Sequence, residues 1–181
     1  MGYSQSWIAV KGKAPDAVLQ MLALTRTGES ADYGGATEGC ARLSGGWFLV
    51  VLKGCDHELL EPRHLAALSA GAELVAVSIE EHVMVSASEA WRDGAQAWRV
   101  AHREDPASLE VSGAPPAAFA QIRARNEKLA QEDDEVDYYF EIPLELAQSV
   151  AGFKHDDAGE DMPPLDQFVS TRPKKPFWKI W

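Results

Sequence analysis

The sequence predicts an α+β fold, a mixed sheet of about six strands with about four helices. Three observations carry that expectation. Apolar runs of strand length stand at residues 6–11 and 47–52, and such runs read as inner strands. A period-two row, Val75, Val77, Ile79, Val83 and Val85, marks a further strand with one buried face. Proline stands at the head of several stretches with helical apolar spacing, where its fixed φ suits the first turn.

Each element follows from local chemistry. Residues 6–11 are apolar on both faces, with Trp7 and Ala9 on one and Ile8 and Val10 on the other, as in a central strand. Pro15 and Asp16 open a helix whose stripe is Val18, Leu19, Met21 and Leu22. Residues 25–39 are polar and glycine-rich and read as a loop. Residues 40–52 read as a hairpin turning on Ser44-Gly45-Gly46. Pro62 starts a helix with Leu65 and Leu68 inward, closed by Gly71. Residues 73–90 read as one long strand. Asp93-Gly94 is a two-residue hairpin turn, which sets Glu89 opposite Trp98, Ala87 opposite Val100 and Val85 opposite His102. Pro115 and Pro116 open the longest helix, to about residue 131, with Phe119, Ile122 and Leu129 buried. Residues 137–142 read as a last strand. Pro143 opens a short helix that Gly152 stops, with Phe153 placed for the apolar contact that accompanies such a cap.

The first half thus reads β-α-β-β-α-β, which resembles the ferredoxin-like split βαβ order. An extra hairpin and two helices would extend it. The resemblance is one of element order and implies no activity. Residues 1–154 are expected to form one domain. Residues 155–181 are expected to be an acidic linker and a basic, aromatic tail.

Composition excludes several functions. With 46% hydrophobic and 25% charged residues, the chain is globular rather than disordered. Its net charge of −11 argues against nucleic acid as a partner, since phosphate recognition needs a basic surface. The same charge would steer a basic protein partner towards it. Two cysteines, Cys40 and Cys55, are no disulfide framework and fit a reducing compartment, so a cytoplasmic location is expected. No apolar run approaches the ~20 residues of a transmembrane helix. No basic region precedes an apolar run at the N-terminus, so no secretory signal is expected. Met1-Gly2-Tyr3-Ser4-Gln5-Ser6 fits only the loose acylation pattern.

Candidate chemistry is sparse. Cys55-Asp56-His57 follows a buried strand, on a connection of the kind that carries function. A nucleophilic thiol needs a lowered pKa and a base in reach, and Asp56 acts against the first. Glu80-Glu81-His82 interrupts the valine row with three polar side chains, and a carboxylate beside a histidine can do acid–base work. A bulge or bend in the sheet would also explain that break. Cys55, His57, His64, His82 and His102 lack the paired spacing of a zinc site, so no metal is expected. Asp156, Asp157, Glu160 and Asp161 do not match a calcium loop and read as a solvated turn. No phosphate-binding loop, dinucleotide fingerprint or serine elbow occurs, so no cofactor is expected.

The segment from Arg172 onward carries Lys174, Lys175 and Lys179 among Phe177, Trp178, Ile180 and Trp181, with no acidic residue. Exposed aromatics are a solubility liability. This tail is therefore expected to dock, through Arg172, Lys174, Phe177, Trp178 and Trp181, on the acidic body or on a second copy. The leading functional expectation is a binding or regulatory protein whose acidic body recognises a basic protein partner. The alternative is a small-molecule-binding protein or enzyme with its site near Cys55, His57, Glu80 and His82. Self-association through the tail, giving an oligomer, is a further expectation.

Overall fold

A strand apolar on both faces must be covered on both, and β1 (Ser4–Lys11) is the centre of the molecule for that reason. The computed structural model describes residues 2–34, 38–103, 108–158 and 162–172. After β1 come α1 (Pro15–Leu22), β2 (Leu24–Ala31), β3 (Gly39–Arg42), β4 (Trp47–Lys53), α2 (Pro62–Ser69) and β5 (Glu73–Glu80). Then follow β6 (Val85–Arg92), β7 (Ala95–His102), β8 (Leu109–Gly113), α3 (Ala118–Glu132), α4 (Tyr138–Ala151) and β9 (Leu165–Ser170). The strands form one sheet of nine in the order β2-β9-β3-β4-β1-β5-β6-β7-β8. Every pairing is antiparallel.

The period-two alternation of β1 divides the core. Ile8 and Val10 face α1 and α2, meeting Val18, Leu22, Leu65 and Leu68. Trp7 and Ala9 face the other way, onto Phe140, Leu144 and Ala147 of α4. α3 is the outer helix and adds Ile122 to a cluster of Trp98, Val100, Ile142 and Leu146. Each buried Val, Leu, Ile or Phe among them contributes about 1.5–3 kcal/mol by leaving water.

The α+β class stands, with four α-helices among the described residues, but the sheet is larger than six strands and is antiparallel, not mixed. The ferredoxin-like order does not describe it either, because β2 adds a strand after α1 and the first half becomes β-α-β-β-β-α-β. β2 reads as a loop in sequence because it is an edge strand, polar and mostly exposed. β8, at the opposite edge, is exposed for the same reason. Residues 165–170 were expected to belong to the tail, yet β9 lies between β2 and β3, so the sheet continues past residue 154.

Three further expectations are corrected. The long strand at residues 73–90 is a hairpin, with β5 paired to β6 around a turn at residues 81–84 where Met84 takes φ 49°. Residues 137–142 are not a strand, because α4 starts at Tyr138. The Asp137 carboxylate caps it, accepting the Phe140 N–H at 3.3 Å, and Gly152 ends it at φ 77°, donating to the Gln148 carbonyl at 2.8 Å. Burial at Phe140, Leu144, Ala147 and Ala151 has helical spacing, and Pro143 lies inside the helix rather than at its head. The pairing of β6 with β7 also shifts by one. Ala90, not Glu89, faces Trp98, and Ser86, not Val85, faces His102, because the register slips between Ala90 and Trp91. Trp98 and Val100 are buried all the same, at 6% and 0% exposure.

Candidate functional site

The N-terminus of β1 and the C-termini of β4 and β5 meet at one end of the sheet. The chemistry-bearing residues of the sequence gather there. Ser4 pairs with Glu80 across β1 and β5, and Cys55 lies two residues past the end of β4. The polar interruption at residues 80–82 is therefore a strand end and a turn. Its side chains divide between the two faces of the sheet.

On the face of α1 and α2, Glu80 is the hub. His82 Nδ1 is 2.6 Å from Glu80 Oε1. The Ser4 hydroxyl and the Cys55 thiol also hydrogen-bond to this carboxylate. Hydrogen bonds from Ser4 and then His82 hold the Glu80 carboxyl down to about 2. Burial pushes the Cys55 thiol up, and the Glu80 carboxylate pushes it the same way. A thiol so placed stays protonated at neutral pH, the opposite of an activated nucleophile. The cluster is a set of donors around a permanent negative charge.

A depressed carboxyl stabilises the fold above its ordinary value of 4.5, and that contribution is lost as pH falls towards about 2. Glu80→Gln is therefore expected to flatten the dependence of Tm on pH between those limits. Thermal melts of both proteins across that window check it. Equal slopes would show that Glu80 gains nothing from its partners.

On the α4 face stands a second constellation. Glu81 accepts the Tyr3 backbone N–H at 2.8 Å, and its other oxygen is 2.9 Å from His155 Nε2. The Tyr3 ring meets the His155 ring edge-on at 5.1 Å. His155 is 2% exposed because the chain reverses at Gly152 and packs Phe153 against Trp7. Lys154 is gripped by Glu141 at 2.8 Å and Asp156 at 2.7 Å. Burial pulls the Lys154 ammonium down, and its hydrogen bonds to Asp156 and Glu141 outweigh that and leave it raised. Carboxylates from four segments, Asp56, Glu80 with Glu81, Glu141, and Asp156 with Asp157, thus share this end of the molecule with exposed Tyr3, at 41%, and Val83, at 54%.

The structure brings Cys55, Glu80 and His82 together but turns His57 away. The His57 ring accepts the Leu59 N–H at 3.1 Å and lines a separate cleft with His64 and Arg172. His102 is buried in contact with Asp137 at 2.8 Å and closes the base of α4. Among the described residues no group of three or more His, Cys, Asp and Glu side chains is arranged to hold a metal ion. Glu160 and Asp161, and the tail residues Lys174, Phe177, Trp178 and Trp181, lie outside the described residues. Arg172 is described, and it pairs with Glu58 at 2.9 Å.

Sequence reasoning missed Tyr3, Lys154 and His155 as members of a site, and it named Glu81 only within the polar triplet. The signal for Glu81 was its place as a carboxylate in the valine row. The signal for His155 was the apolar contact of Phe153 after the Gly152 cap, which fixes where the next residues go. No family model, no curated protein and no solved structure matches the chain. Among the described residues no helix is long and apolar enough to cross a membrane.

Proposed function

We propose that the chain is a binding protein whose acidic sheet end receives a basic protein partner. One observation carries this reading. Tyr3 and Val83 stand exposed at the sheet end that also carries Asp56, Glu80, Glu81 and Asp156. Exposed apolar anchors beside an excess of carboxylates combine affinity with steering at an interface. The protonated thiol of Cys55 supports binding over catalysis, because the one cysteine near a histidine is not activated.

Asp56 and Asp157 are exposed, so reversing their charge should leave the fold intact and act on the encounter. The full-length tagged chain and an Asp56→Lys, Asp157→Lys form are used as baits in host lysate at low salt. The expected result is a partner of high pI that elutes at about 1 M salt, where charge attraction is screened, and that the variant retains at least tenfold less. A partner held equally by both baits, or untouched by salt, overturns the reading.

A further inference from the structure

On the α2 side of the sheet end an open cleft of about 910 Å³ runs between β9 and the turn before α2. Leu22, Leu24, Leu52 and Leu59 form its floor, and His57 and His64 stand at its sides. Burial lowers both imidazoles, so they stay neutral at physiological pH. The cleft is thus apolar at its base, with Glu38, Glu58, Arg63 and Arg172 at the mouth.

The chain itself leads into this cleft. Phe168, Val169 and Ser170 of β9 line one wall. Arg172 then reaches across to Glu58, Nη1 to Oε1 at 2.9 Å, tying the backbone to the opposite side. The next nine residues are Pro-Lys-Lys-Pro-Phe-Trp-Lys-Ile-Trp. We propose that this cleft receives the aromatic side chains of the chain's own segment 173–181, with Phe177 and the two tryptophans on the leucine floor and Lys174 and Lys175 at Glu38 and Glu58. Six residues separate Trp178 from Arg172, a reach of at most about 20 Å, which spans a cleft whose wall is the starting point. A tether this short holds the segment at an effective concentration of order millimolar, which favours its own cleft over that of a second copy. Pro173 and Pro176 reduce the entropy lost on docking.

Six tryptophans are present, and Trp7, Trp47, Trp91 and Trp98 are each no more than 8% exposed. Emission readily quenched by acrylamide therefore reports Trp178 and Trp181. In the full-length protein the expected readily quenched share is close to none. In a Val169→Lys, Glu58→Lys form it should rise to about two of the six tryptophans, with far-UV circular dichroism unchanged. Val169 is 55% exposed, so its replacement does not touch the core. Two freely quenched tryptophans in the unsubstituted chain would overturn the proposal, whatever then fills the cleft. Protection that disappears on dilution would assign the occupant to a second copy and overturn it equally. Neither readout depends on the basic partner proposed above.

Discussion

Phe153→Ala is expected to destabilise the fold by about 3–5 kcal/mol, the range for deleting a buried aromatic ring. Phe153 is 1% exposed and meets Trp7 edge-on at 5.4 Å and Tyr33 at 5.3 Å. It is the pin between the returning chain after α4 and the central strand. The substitution should also loosen Lys154 and His155, and with them Glu81. Urea denaturation gives the first effect, and the His155 ring resonances in the folded protein give the second. A loss under about 1 kcal/mol would mean that the surrounding rings collapse into the space, since the cost depends on how well such a site can close.

Gly39→Val is expected to cost about 1–3 kcal/mol by overpacking and to release β9 before the rest of the sheet. A Cβ at residue 39 would lie 2.7 Å from the Cβ of Leu165 and 3.2 Å from the Asp166 carbonyl oxygen. Neither atom is the free end of a flexible side chain, so β9 itself would have to move. β2 would go with it, because β9 is its neighbour in the sheet. Hydrogen exchange should then show β2 and β9 opening together while β1, β4 and β5 keep their protection. Uniform loss of protection would contradict a local release.

The buried centre was legible in the sequence and the edges were not, for one physical reason. Trp7 to Val10 and Trp47 to Leu52 are apolar because both faces are covered, and burial writes itself into residue type. β2, with Thr25, Arg26, Thr27, Glu29 and Ser30, has little to bury and reads as a loop. The turn at residues 81–84 was hidden by valines that continue the alternation on both sides of it, although the polar triplet at Glu80 marked the place. Tyr138, Tyr139 and Phe140 have strand propensity, which is weaker than the pattern of faces that places them in α4. At the site, Cys55, Glu80 and His82 stand out by residue type, but residue type does not say that β4 and β5 end side by side. The division of Glu80 and Glu81 between two faces needed the end of β5 to be known to the residue. His57 was misplaced because its place four residues past the end of β4 does not fix a direction.

The position of β9 has a consequence for how the protein is made. Arg26 of β2 meets Asp166 of β9 across 140 residues of chain. At about 5–20 residues per second, β2 leaves the ribosome on the order of ten seconds before its partner. In that interval β3 offers an unpaired edge, and β2 has nowhere to pair. Pairing between residues so far apart in the chain also slows folding once the chain is free. The sheet therefore closes last on the side of β2, and a stall or a nick ahead of Leu165 would leave a half-made sheet with an edge open to the nearest other copy.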